Sequence, residues 1–174
     1  MSHGQGRSRT VLIHDFVQVE RPYPEVCATM EADPLALLAD TAGAAYREGE
    51  RLSLRLTPSH NHPRFGKRVE VDIGATYRRA DRLILPIQWW ARGASALFPR
   101  LEGDLELAPL GGERTQITLM GRYDPPLAGV GRQADRLLLH RVAEASVRSF
   151  LTRLAAALVA VVPPAAVGEA CDPR

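Results

Sequence analysis

The chain has 174 residues, 45% hydrophobic and 24% charged, with a formal net charge of +2. This length and composition suit one globular domain, and the near-neutral charge gives no electrostatic reason to expect a nucleic-acid partner. The longest apolar run, 154–162, is shorter than the roughly 20 residues that span a bilayer, and no secretion signal is recognisable, so we expect a cytoplasmic protein with no membrane span.

Composition also predicts the domain boundaries. Residues 1–9 are rich in Gly, Ser and Arg, and residues 163–174 in Pro, Ala and Gly, so both are predicted to be flexible. A single domain is predicted over 10–162. Of the two cysteines, Cys27 and Cys171, the second lies in the tail, and no structural disulfide is expected.

The first elements follow from local patterns. Residues 10–19 alternate apolar and polar side chains, which predicts a half-buried strand. Pro24 suits a first helical turn, and Asp33 followed by Pro34 is a helix cap with a first-turn proline. We therefore predict two short helices after strand one.

From residue 51 onward the pattern has period two. It predicts strands at 52–56, 69–77, 83–89, 101–107 and 115–123, joined mostly by short connectors such as Gly111-Gly112, which favour an antiparallel meander. A closing helix is predicted at 132–162. The fold class is thus α+β, a curved antiparallel sheet of six or seven strands wrapped around a long C-terminal helix.

The strands agree on which side chains face that helix, and the opposite set carries nearly all the charge. The predicted inward set is Val69, Val71, Ile73, Ala75, Tyr77, Leu83, Leu85, Ile87, Trp89, Leu101, Gly103, Leu105, Leu107, Ile117, Leu119, Gly121 and Tyr123. Gly103 and Gly121 would leave room for a cavity or for close approach of the helix.

Two polar residues are candidates for proton transfer. Asp15 shares parity with Ile13 and Val17, so its carboxylate would face the apolar side, unless it lies near the strand's edge or the opposite face of this strand is the inner one. His140 lies in the closing helix one turn before Glu144, and it is either a cavity-wall group or an ordinary solvated or core histidine.

The order of elements resembles that of the START-like or Bet v 1-like helix-grip superfamily, in particular its bacterial polyketide cyclase/dehydrase-like (SRPBCC) branch. The resemblance is carried by the exit from the last strand, Tyr123-Asp124-Pro125-Pro126-Leu127, by residues 132–144 and by Phe150-Leu151. It implies a helix-grip fold and an apolar cavity between sheet and helix.

Three functions remain open on this basis. The first is binding of a small hydrophobic molecule (lipid-like, isoprenoid or polyketide) in that cavity, lined by Tyr77, Trp89, Leu119, Tyr123 and Leu138. The second is a polyketide cyclase, aromatase or dehydratase in which Asp15 or His140 transfers a proton and a tyrosine hydroxyl stabilises an enolate. The third is a regulatory or interaction protein with a filled cavity.

No cofactor or metal is expected. His60 and His62 could offer two imidazoles, but a stable metal site usually needs three or four ligands. The residues Gly129-Val130-Gly131 precede a helix without the following strand that a dinucleotide site requires. Trp90 and Met120 have outward parity and could form an apolar patch for a homodimer.

Overall fold

The computed structural model describes residues 11–56, 69–91, 100–123 and 133–160, with some side chains inside these ranges left out, among them those of 48–56 and 133–140. The predicted segments 1–9 and 163–174, Cys171, and the loop with His60 and His62 lie outside the described residues. The elements, in chain order, are β1 (Val11–Val19), α1 (Tyr23–Ala32), α2 (Pro34–Leu56), β2 (Val69–Ile73), β3 (Tyr77–Arg79), β4 (Arg82–Ala91), β5 (Leu101–Pro109), β6 (Thr115–Tyr123) and α3 (Gln133–Ala160).

The strands form one antiparallel sheet of six strands in the order β1-β6-β5-β4-β2, with β3 also paired to β4. The helix α3 contacts β1 and β6 and packs against α1 and α2. This arrangement is the predicted α+β helix-grip fold, and the prediction is confirmed.

Local chemistry explains several boundaries. The backbone N–H of Ala36 donates to Asp33 Oδ1 at 3.1 Å, so Asp33 caps α2 as predicted. In the hairpin between β5 and β6, Gly111 has a φ of 76° and the Leu110 N–H donates to the Arg114 carbonyl at 2.9 Å.

The core lies between the sheet and the second half of α3. The predicted inward residues of β4, β5 and β6 are buried, apart from the half-buried Trp89, Gly103 and Gly121. The apolar residues that α3 presents to them are buried as well: Val147, Phe150, Leu151, Leu154 and Leu158. The Trp89 and Phe150 rings meet edge-to-face with centroids 4.8 Å apart. Parity therefore predicted the buried face of these three strands correctly.

A buried arginine joins the two ends of the domain. Arg21, just after β1, donates through Nη1 to the carbonyl of Leu158 near the end of α3, and its Nη2 lies 2.9 Å from Glu25 Oε2. The Thr115 hydroxyl donates to the Arg21 carbonyl at 2.8 Å. A cation at the C-terminal end of a helix is also favoured by the helix dipole.

The strand predicted at 52–56 is wrong, because α2 continues through these residues and is a long helix of 23 residues. Leucines at 52, 54 and 56 alternate over only five positions. Such a short pattern does not outweigh the propagation of a helix already capped by Asp33 and free of proline until Pro58.

The predicted inward position of Tyr77 is also wrong. Ile73 pairs with Ile87 and Tyr77 pairs with Ile84. Between these two pairs the chain from β2 to β3 therefore has one residue more than β4 does. The extra residue interrupts the predicted strand and reverses its alternation, as in a β-bulge. Tyr77 consequently lies on the outer face and is 47% exposed.

Gly103 and Gly121 both line a depression on the outer face of the sheet. They pair directly across β5 and β6, and a Cβ placed on Gly103 would meet the Met120 carbonyl oxygen and lie 2.6 Å from Gly121 Cα. The close approach at these glycines is between two strands, whereas the predicted one was between sheet and helix.

Candidate functional site

Asp15 lies on the inner face of the sheet. It pairs with Leu119, which pairs with Leu105, and both leucines are buried. On the other face of β1, Leu12 is 80% exposed, so the alternative in which Leu12, His14 and Phe16 face the core is wrong. Asp15 is thus a carboxylate in an otherwise apolar row.

This carboxylate has a cationic partner on α3. Arg148 Nε lies 2.8 Å from Asp15 Oδ2, with 16% of the Asp15 side chain and 69% of the Arg148 side chain exposed. The backbone N–H of Phe16 donates to Asp15 Oδ1 at 2.9 Å. Pairing explains how Asp15 is tolerated beside the core.

A groove of about 690 Å³ lies between β1 and α3 at this ion pair. Strand β1 contributes Leu12, Ile13, His14 and Asp15, and α3 contributes Arg141, Glu144, Ala145, Val147 and Arg148. Ile13 and Val147 are themselves buried, so the groove reaches down to the inner layer. The groove is therefore apolar at its base and charged along its helical wall.

Two predicted cavity residues lie in one row on the inner face of the sheet. Trp89 and Tyr123 both pair with Leu101, on opposite sides of it. Burial raises the pKa of the Tyr123 phenol, and the negative charge of Glu144 raises it further. Tyr123 therefore keeps its proton and can donate a hydrogen bond.

The remaining predicted site residues are not brought together. Leu119 is fully buried in the core. His140 and Leu138 lie on α3, but their side chains are outside the described residues, and Tyr77 is on the outer face. A role of His140 in proton transfer stays a prediction.

Sequence reasoning missed the partnership of Asp15 with Arg148. The signal was available in part, because Arg141 and Arg148 are seven residues apart and so share a helix face. What the sequence lacked was the position of α3 along β1.

A second polar cluster lies on the other side of the molecule, between α1 and β3. Arg78 Nη2 bonds Glu31 Oε1 at 2.7 Å, and Arg78 Nη1 lies 3.5 Å from the Tyr23 hydroxyl. Burial, together with the neighbouring Cys27, raises the pKa of Tyr23 to about 12, and burial likewise raises the pKa of the Cys27 thiol. A buried thiol with a raised pKa is a poor nucleophile at neutral pH.

The outer face of the sheet holds a depression of about 620 Å³, which crosses it from Leu12 to Gly74. Met120 lies beside it and is exposed, whereas Trp90 is half-buried and the Arg100 guanidinium lies 5.6 Å from its ring centroid. The predicted apolar patch is therefore partly covered by a cation.

No group of three or more potential metal ligands occurs among the described residues. None of the described helices combines the length and apolar character needed to cross a membrane.

Comparison with known proteins finds no matching family model and no matching curated protein. Solved structures with a similar fold include the Zhui aromatase/cyclase from Streptomyces sp. R1128, at 14% identity and a TM-score of 0.47, covering 87% of this chain and 94% of that one. Ara h 8.0201 is 12% identical with a TM-score of 0.46, covering 87% and 99%. Norcoclaurine synthase from Thalictrum flavum, in complex with dopamine and hydroxybenzaldehyde, is 10% identical with a TM-score of 0.46, covering 91% and 95%.

These likenesses concern fold alone, and the activities of those proteins carry no argument for this chain. The helix-grip fold predicted from the sequence is present here in the chain's own topology: an antiparallel sheet, two helices after β1, and a closing helix packed on the sheet.

Proposed function

We propose that this chain binds a small, largely apolar molecule with one polar end in the β1–α3 groove. The observation that carries the proposal is the groove itself, which is about 690 Å³ in volume and joins an apolar base to a charged helical wall. In sites for small molecules the apolar surface supplies affinity and the polar groups fix orientation.

The apolar contribution would come from Leu12, Ile13, Ala145 and Val147, which line the groove on both sides. Leu12 is the most exposed of the large apolar side chains in the described residues. Covering it with a ligand would remove apolar surface from water at about 25 cal/mol per Å².

The packing of α3 favours a site beside the turns that precede Phe150. Phe150, Leu151, Leu154 and Leu158 are fully buried against the sheet and the other helices, so that half of α3 is occupied by the protein's own side chains. The groove lies beside the preceding turns, where Arg141, Glu144 and Arg148 are exposed around the buried Val147.

Binding is better supported than catalysis by the described groups. Both carboxylate oxygens of Asp15 are engaged, one by Arg148 and one by the Phe16 N–H. A general base needs an oxygen within reach of a substrate proton. The cyclase or dehydratase alternative therefore stays a prediction from the sequence.

The proposal is tested with Nile red, an apolar fluorescent probe, and with native mass spectrometry of the purified protein. Ala145→Trp places an indole in the groove, and Ala156→Trp adds the same side chain on an exposed part of α3. We expect saturable probe binding by the wild type and by Ala156→Trp, and at least about a tenfold loss in Ala145→Trp, equivalent to about 1.4 kcal/mol.

Circular dichroism of each variant confirms that the helix is intact. Equal probe binding by Ala145→Trp and the wild type would place any site elsewhere, and lack of saturable binding together with no co-purified ligand would overturn the proposal.

A further inference from the structure

We propose that the polar end of the bound molecule is an oxyanion, a carboxylate or a phosphate monoester, held by Arg148 and Arg141. This inference rests on the proposed function and specifies the class of its ligand. Both arginines lie on α3 and line the groove.

Arg148 has more donors than Asp15 needs. Its recorded contact with Asp15 is through Nε, 2.8 Å from Oδ2, and a guanidinium carries five N–H donors. The side chain is 69% exposed and lines the groove, so a bound molecule can reach it. Guanidinium forks bind carboxylates and phosphates through paired N–H donors.

Arg141 supplies a second cation on the same wall. Seven residues correspond to about two helical turns and a rise of about 10 Å, so Arg141 and Arg148 lie along one face of α3. Within the described part of the chain, no carboxylate is recorded as pairing with Arg141, which is exposed and lines the groove. One oxyanion could be bound by Arg148 and attracted by Arg141.

Two carboxylates, those of Asp15 and Glu144, also line the groove and would repel a bound anion. Asp15 is neutralised by Arg148, and its position fixes the orientation of the guanidinium. Glu144 lies between the two arginines in sequence, and its charge also acts on Tyr123. Removing the charge of Glu144 should therefore strengthen anion binding.

The apolar base of the groove determines the chemical character of the rest of the ligand. Ile13 and Val147 lie beneath the charged wall, so an alkyl or polycyclic body would bind inward while its anionic group stays at the arginines. This division selects an amphipathic anion over a neutral or cationic molecule of the same body.

Isothermal titration calorimetry compares three ligands with one alkyl chain: dodecanoate, dodecyl phosphate and dodecanol. For the wild type we expect at least one of the two anions to bind about tenfold more tightly than dodecanol, and the stronger of them identifies the head group. The advantage should disappear in Arg148→Gln, while dodecanol binding is unchanged.

Arg153→Gln is the matched control, since Arg153 is an exposed arginine of α3 whose guanidinium Nε bonds Ser149 outside the groove. It should keep the preference for the anion, and Glu144→Gln should increase that preference severalfold. Equal affinity for all three ligands, or loss in Arg153→Gln as large as in Arg148→Gln, would overturn the inference and leave the proposed function standing. Failure of all three ligands and of Nile red to bind would overturn both the inference and the proposed function.

Discussion

Some charged side chains of this protein are largely buried. Arg21 is the clearest case, with only 9% of the residue exposed. Its guanidinium is matched by the Leu158 carbonyl and by Glu25, and its own carbonyl accepts a bond from Thr115. A buried cation is stable only when such partners are present, so the value of Arg21 depends on the whole cluster.

Replacing Arg21 by methionine should lower the free energy of unfolding by about 2–4 kcal/mol, because the buried Leu158 carbonyl loses its charged donor and Glu25 loses its counterion. Urea unfolding followed by circular dichroism measures this loss. Arg122→Met is the control: Arg122 Nη2 lies 3.1 Å from Glu102 Oε2, and the two side chains are 60% and 44% exposed. A surface pair of this kind is worth at most about 1 kcal/mol, and equal losses in the two variants would contradict the prediction.

The elements differ in how far the sequence determines them. Strand β6 matches its predicted bounds, and β1, α1 and the start of α2 were signalled by alternation, a first-turn proline and the Asp33 cap. The end of α2 was not predictable, because a five-residue alternation at 52–56 reads equally as a strand. Tyr77 was misplaced because one additional residue between Ile73 and Tyr77 reverses the side-chain faces, and no sequence pattern announces it.

The β5–β6 ladder depends on a glycine pair, so Gly103→Ala should destabilise the fold. The added methyl group would collide with backbone atoms of Met120 and Gly121, which cannot rotate away as a side chain could, and the cost should be about 2–4 kcal/mol. Thermal and urea unfolding measure the effect.

Gly112→Ala is the matched change in the adjoining hairpin, where a Cβ would meet no atom within 4 Å. It should be near neutral, since alanine also reduces the freedom of the unfolded chain. A Gly103→Ala protein as stable as Gly112→Ala would show that the two strands separate easily at this point.

At the scale of the whole molecule, the fold was predictable and the site only partly so. The inward face of β4, β5 and β6 follows from alternation, and Asp15 stood out as the polar residue in an apolar row. The groove could not be predicted, since it depends on where Arg141 and Arg148 of α3 lie beside β1. Such a contact joins residues more than a hundred positions apart and has no local signature.

Stability should fall in alkali. In the folded protein burial raises the pKa of Tyr23 to about 12 and raises the pKa of Tyr123 and Cys27 as well. The unfolded chain releases these protons earlier, from about pH 9 for the thiol and pH 10 for the phenols. The contribution of these three protonated groups to the free energy of unfolding is therefore complete below pH 9 and is lost as the pH rises towards 12.

Urea unfolding at a series of pH values measures this slope. The double variant Tyr23→Phe/Tyr123→Phe should flatten it above pH 10, with Tyr77→Phe as the exposed control. An unchanged slope in the double variant would show that these phenols do not govern alkaline unfolding.

The contact between Arg21 and Leu158 has a consequence for synthesis of the protein. A ribosome makes Arg21 long before Leu158, so the Arg21 guanidinium lacks its Leu158 partner until the last turns of α3 emerge. The same turns supply Phe150, Leu151 and Leu154 to the core, at about 1.5–3 kcal/mol for each buried side chain. Folding should therefore wait until α3 has emerged from the ribosome, with β1 and α1 exposed to chaperones and proteases until then.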